Sequence, residues 1–136
     1  MEITQAVIDT DILIDLLRNV ESVVDFIREM ENRGTHLSTT IINAFELYHG
    51  AYKSRRREEN LSATRKLLGR LTLLTMGSKS AQTAARIYAE LEAAGQPIGL
   101  RDVFIGAITL TRGYTLVTRN IEHLKRVPGL SVTPAP

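Results

Sequence analysis

Ala6-Val7-Ile8-Asp9-Thr10-Asp11 is a short apolar run that ends in two acids. The run reads as a buried strand over residues 5–9, and such a strand has no structural use for acids at its tip. Two further acids stand in comparable settings. Glu46 lies in an apolar helical stretch after the second expected strand, and Asp102 opens the apolar stretch 103–110. In an α/β fold these positions converge at the carboxyl edge of a parallel sheet, where ligands bind. Gathered carboxylates repel, by about 4 kcal/mol for two unit charges about 4 Å apart at an effective dielectric of about 20. A cluster of this kind therefore calls for a hard cation such as Mg²⁺, which takes oxygen ligands.

Outward from that stretch, apolar and polar residues alternate in blocks that predict short strands and helices in turn. A helix over 11–17 follows the first strand. A second carries Val23, Val24, Ile27 and Met30 at three- and four-residue spacing and ends at Gly34. Residues 36–38 are the second strand, and Thr39 or Thr40 caps the helix bearing Glu46. A basic stretch and a helix near 61–69 come next, then a third strand over 71–75. Ser78 is expected to cap a helix running to Ala94. The stretch 103–110 is apolar almost throughout, which places that helix centrally. Gly106 inside it costs about 1 kcal/mol relative to alanine, which argues for close approach by a neighbour. Residues 114–118 form the fourth strand, 121–125 a short helix and 130–133 an edge strand. This alternation predicts a three-layer α/β/α domain around a central parallel sheet of four to five strands, occupying the single unit 1–136.

The 136 residues suffice for one core, and the composition, 43% hydrophobic and 24% charged, is that of an ordinary globular chain. The chain has no cysteine. That excludes disulfides, zinc-thiolate and iron–sulfur sites and cysteine nucleophiles, and it suits a cytoplasmic protein. No apolar run approaches the roughly 20 residues of a membrane span, and the first residues run straight into a strand rather than a signal peptide. The net charge is only +2. Its distribution says more: Lys53, Arg55, Arg56 and Arg57 form one basic run, while the acids sit at element ends. A basic rim around an acidic centre suits a polyanionic substrate; a solvated helix end accounts for the run equally.

Each acid has a structural alternative. Asp9 can cap the following helix. Asp11 can cap it or reach a metal through water, and Asp15, one turn on, reads as a surface residue. Glu46 has Ile42 and Gly50 four residues to either side. No cation on its own face neutralises it, so it is paired elsewhere, metal-bound or turned outward. Asp102 suits a helix N-terminus or pairs with Arg101. Together, Asp9, Glu46 and Asp102 can hold one or two Mg²⁺ or Mn²⁺ ions for phosphodiester chemistry.

Four stretches carry a resemblance over nearly the whole chain: Val7-Ile8-Asp9-Thr10-Asp11-Ile12-Leu13-Ile14; Ser38 to Ala51 with Glu46; Leu100-Arg101-Asp102-Val103-Phe104-Ile105-Gly106-Ala107; and Val117-Thr118-Arg119-Asn120 with His123-Leu124 and Val127-Pro128-Gly129-Leu130. In this order they resemble the PIN-domain nucleases, and within them the VapC toxins of toxin–antitoxin modules. The resemblance implies a Mg²⁺- or Mn²⁺-dependent endoribonuclease with Asp9, Glu46 and Asp102 as metal-holding catalytic acids. It also implies a homodimer, inhibition by a VapB-type antitoxin, and promoter DNA bound only through the antitoxin complex. Many relatives carry a fourth acid in the closing stretch. Here Asn120 stands nearest, offering an oxygen without charge, so Asp11, Thr118 and Asn120 are expected as supports or water-mediated ligands. Arg101, Arg119, Lys53, Arg55 and Arg56 are expected to guide RNA, and His36, His49 and His123 to be structural or surface residues.

Three other readings compete. A phosphatase of the haloacid-dehalogenase type also places Asp-x-Asp after its first strand, but Ile12-Leu13-Ile14 follows here instead of a flexible glycine or threonine stretch. A receiver domain needs an acid after the third strand, where Thr75-Met76-Gly77 stands. A catalytically impaired PIN-like module, binding RNA or an antitoxin, is the alternative that the absent fourth acid leaves open.

Overall fold

The computed structural model describes residues 2–136. Five strands, β1 (Gln5–Ile8), β2 (His36–Thr40), β3 (Thr72–Leu74), β4 (Thr115–Val117) and β5 (Ser131–Thr133), form one sheet in the order β3-β2-β1-β4-β5. Every pairing is parallel. Among the described residues seven helices accompany them: α1 (Thr10–Leu17), α2 (Glu21–Asn32), α3 (Ile41–Lys53), α4 (Arg57–Leu68), α5 (Ser78–Ala93), α6 (Leu100–Arg112) and α7 (Ile121–Leu124). This is the expected three-layer α/β/α arrangement, with five strands in the sheet.

β1 shows how the layers form. Its Ala6, Val7 and Ile8 are fully buried, so both faces are covered, as a central parallel strand requires. Ala6 and Ile8 pack with Ile12, Leu13, Val23, Ile27 and Leu47 of α1, α2 and α3. Val7 points the other way, to Ile105 and Ile108 of α6 and Leu124 of α7. α5 adds an outer layer to α6 through Ala84, Ile87 and Leu91 against Val103 and Ala107. α6 is therefore covered on two sides, which its nearly continuous apolar sequence requires.

Several boundaries differ from the sequence expectation. β1 stops at Ile8, and Asp9 is the N-cap of α1, its carboxylate accepting from the Thr10 amide at 2.8 Å. β2 runs on through Thr39 and Thr40, because both pair with β3, opposite Leu73 and Leu74. α4 begins at Arg57, well before its first apolar residue, Leu61, so part of the basic run is helical. Gly77 rather than Ser78 occupies the N-cap of α5, with no side-chain bond. α6 begins two residues before Asp102, which places Arg101 in its first turn as well.

Two local devices fix the site-bearing helices. Thr40 caps α3 in a reciprocal box with Asn43. Gly106 leaves room for α7 and the turn after it: a Cβ there would stand 3.4 Å from Val127, 3.7 Å from Leu130 and 3.8 Å from Leu124. Thr40→Ala is expected to destabilise the protein by about 1–2 kcal/mol. Gly106→Leu is expected to cost about 1–3 kcal/mol through overpacking. Urea unfolding, with unchanged slope and a lowered midpoint, checks both; an unshifted midpoint for Gly106→Leu contradicts the packing described.

Candidate acidic site at the sheet switch point

The chain leaves β1 on one side through β2 to β3, then returns across β1 to β4 and β5. The strand order thus reverses between β1 and β4, and a crevice opens at their carboxyl ends. Asp9 follows β1 and Thr118 follows β4. The Asp9 amide donates to the Val117 carbonyl at 3.0 Å, and Thr39 Oγ1 donates to the Ile8 carbonyl at 2.8 Å, so the tip of β1 is pinned from both neighbours.

Three acids from three helical segments meet in this crevice. Asp9 is 4% exposed and Asp102 7% exposed; the Glu46 side chain is 29% exposed. Between them lies the guanidinium of Arg101. Its Nη2 donates to Asp9 Oδ1 at 2.7 Å, its Nε to Glu46 Oε2 at 2.7 Å and its Nη1 to Asp102 Oδ1 at 2.6 Å. Burial opposes the charge on Arg101. Its hydrogen bonds to Glu46, Asp9 and Asp102 and the charge of Asp9 outweigh it, and hold the group charged well beyond its ordinary range.

The second oxygen of each acid goes to a neutral donor. Thr118 Oγ1 donates to Asp9 Oδ2 at 2.7 Å, Thr10 Oγ1 to Glu46 Oε1 at 2.5 Å, and Asn120 Nδ2 to Asp102 Oδ2 at 3.0 Å. Each carboxylate thus has one oxygen held by a neutral side chain and turns its other oxygen to a common centre; for Asp9 that other oxygen also accepts from the Thr10 amide. Asn43 Nδ2 adds bonds to Asp9 Oδ1 at 3.1 Å and to Thr10 Oγ1 at 2.8 Å. The Asn120 amide in turn donates to Thr118 Oγ1 at 3.0 Å.

Thr10 and Asn43 were not singled out from the sequence. Asn43 carries a signal, since it stands three residues before Glu46 in the same helical stretch and so on the same face. Asp11 is exposed on the wall of the crevice, a cavity of about 480 Å³ also lined by Asp9, Thr10, Glu46, Arg101, Arg119 and Asn120. Asp15 is only 23% exposed and pairs with Arg119 Nη2 at 2.6 Å, while Arg119 Nε donates to the Pro136 carbonyl at 2.7 Å. It is therefore a partner of the cavity wall rather than a free surface acid. Lys53, Arg55 and Arg56 do not line the cavity. Lys53 stands seven residues beyond Glu46, about 10 Å along the α3 axis. His123 Nδ1 lies 3.7 Å from Asp102 Oδ2, His49 stacks on Phe45, and His36 contacts Thr72.

The donor set fits a hard divalent cation: three carboxylates, each with one oxygen directed at one centre and the other anchored. The present spacing is set by the guanidinium, and among the described residues no three acids or histidines stand at ligand distance from a single point. Asp9, Glu46 and Asp102 are thus the residues whose oxygens would hold such an ion.

Comparison with known proteins agrees with this geometry. The PIN domain family matches residues 6–130. The chain is 32% identical to the tRNA(fMet)-specific endonuclease VapC of Salmonella typhimurium, covering 92% of this chain and 93% of the relative. It is 31% identical to ribonuclease VapC2 of Haemophilus influenzae, over 90% of this chain and 92% of that one. Its fold superposes with a TM-score of 0.89 on a chain in the crystal structure of VapBC2 from Rickettsia felis bound to a promoter DNA fragment, at 26% identity, covering 97% of this chain and 99% of that one. A switch-point crevice with an acid from each of three separate elements is thus set in a chain whose relatives are ribonucleases along almost their full length: it belongs to the PIN-domain family, among the VapC ribonucleases.

Proposed function

We propose that this chain is a Mg²⁺- or Mn²⁺-dependent endoribonuclease, the toxin of a VapBC-type toxin–antitoxin pair, acting as a single nuclease domain over 1–136. The observation that carries the reading is the convergence of Asp9, Glu46 and Asp102, from three elements, around one cationic group, the Arg101 guanidinium. When bound, a divalent ion supplies water activation and charge neutralisation for phosphodiester hydrolysis.

The chain's own residues do the rest. Asp9, Glu46 and Asp102 hold the ion. Thr118, Thr10 and Asn120 keep one oxygen of each acid fixed, so the centre is organised before RNA arrives. Asn120 does this through its amide nitrogen, so in this arrangement it supports Asp102 rather than replacing a fourth acid. Arg101 and Arg119 line the crevice and meet the RNA backbone there, where cationic contacts weaken with salt. Lys53 at the end of α3, with Arg55 and Arg56 in the turn before α4, would meet a more distant stretch of a long substrate.

The Salmonella relative's name makes transfer RNA the first substrate to test. A VapB-type antitoxin is the proposed protein partner, in keeping with the VapBC complexes among the structural neighbours, and promoter DNA is reached through it. A homodimer is supported by Phe45 and Tyr52, large side chains left 67% and 54% exposed on one side of α3. No helix among the described residues is long and apolar enough to cross a membrane, which accords with the proposed cytoplasmic site of action. The second reading, a PIN-like module that binds RNA or antitoxin without cleaving, draws on the Arg101 guanidinium at the centre and the neutral Asn120.

Incubation of purified protein with bulk tRNA and total RNA separates these readings. Cleavage is expected with Mg²⁺ or Mn²⁺ and not in EDTA. Thr118→Val is expected to lower it by about 10- to 100-fold, and Asp9→Asn or Asp102→Asn further still. Cleavage that persists in EDTA, or equally in Asp9→Asn, contradicts the proposed centre. No cleavage of any RNA by the wild type, with binding retained, favours the second reading.

A further inference from the structure

Arg101 uses all three guanidinium nitrogens on the three acids, and takes from each the one oxygen that faces the centre. The other oxygen of each acid is already held by Thr118, Thr10 or Asn120. A divalent ion needs oxygen donors. A guanidinium has five N–H donors and no acceptor, so it cannot join a metal's ligand shell. The two cations therefore need the same three oxygens, and they repel each other.

The surroundings allow an exchange. The Arg101 side chain is 34% exposed, whereas Asp9 and Asp102 have side chains only 6% and 9% exposed. Arg101 sits in the first turn of α6, and the buried Asp102 beside it anchors that turn. The long side chain borders a cavity of about 480 Å³. It can swing into that space by rotation about its own bonds, while the acids stay where their neutral partners hold them.

We propose that Arg101 is a built-in counter-cation of the site: it ties the three carboxylates together when no metal is bound, and a divalent ion enters only by displacing its guanidinium. Metal occupancy is then set by competition within the chain, so the nuclease needs a higher metal concentration than its three acids alone would dictate. Once displaced, the guanidinium stands at the mouth of the same crevice with its carboxylate partners taken, free for an RNA phosphate. This inference rests on the metal-dependent reading given above.

The test is Mn²⁺ binding to the full-length chain, by calorimetry, for the wild type, Arg101→Gln and Asp9→Asn. Arg101→Gln is expected to bind Mn²⁺ at least tenfold more tightly than the wild type. It should also melt at a lower temperature in EDTA and gain more from added Mn²⁺. Equal or weaker Mn²⁺ binding by a folded Arg101→Gln overturns the counter-cation proposal and leaves the metal site standing. No binding by either chain overturns the metal site and this proposal with it. A second measurement needs no variant: phenylglyoxal modification of wild-type Arg101, mapped by mass spectrometry, with Mn²⁺ and with EDTA. Displacement predicts faster modification with Mn²⁺, and an equal or slower rate overturns it.

Discussion

Repulsion among Asp9, Glu46 and Asp102 is the constraint around which this molecule is arranged. Two such charges about 4 Å apart oppose each other by about 4 kcal/mol at an effective dielectric of about 20, so three together represent a large part of a small domain's net stability. The fold brings them together nonetheless, and it does so with a cation at the centre, the guanidinium of Arg101. Neutral donors complete the arrangement. Thr10, Thr118 and Asn120 satisfy the remaining oxygens without adding charge, and Asn43 adds a bond to Asp9 Oδ1. A site built in this way is electrostatically committed to holding a cation.

The parallel sheet supplies the precision. Asp9 is fixed because β1 is central, buried on both faces and bonded at its tip to β2 and β4. Thr118 arrives beside it because β4 pairs with β1 in a register that ends at Ile8 and Val117. Asp102 is carried on α6, which is packed between the sheet and α5 and cannot shift without disturbing two clusters of buried side chains. Glu46 is the most exposed of the three acids, and the Thr40 cap at the start of α3 sets the turn from which it projects. Rigid elements hold the acids, while the long, partly exposed arginine is the group able to move.

Much of this was legible in the sequence, and the parts that were not share a cause. Asp9 stood out because an acid at the end of Ala6-Val7-Ile8 has no apolar reason to be there, and Glu46 because its helix offers it no cation at helical spacing. The central position of α6 followed from its apolar length. The pairing of Arg101 with Asp102 was one reading open from their adjacency. Its bonds to Glu46 and Asp9, 55 and 92 residues away, depend on how three elements cross, and no local pattern encodes that. Boundaries slipped where local signals were weak or shared. Thr39 and Thr40 are polar, yet β2 extends through them because β3 pairs there. Arg57, Glu58 and Glu59 show no apolar periodicity, yet they form the first turn of α4. Gly77 caps α5 without a side chain to announce it.

The three acids, their neutral supports and the arginine between them are the parts on which the proposed metal site of this PIN-domain chain depends. The most direct test is a crystal structure of the wild-type protein grown with Mn²⁺, with the ion located by its anomalous scattering. The account predicts manganese bounded by Asp9, Glu46 and Asp102, with Thr118, Thr10 and Asn120 still on their carboxylates and the Arg101 guanidinium withdrawn into the crevice. Manganese located only elsewhere, with Arg101 still bonded to all three acids at a concentration that supports RNA cleavage, contradicts it.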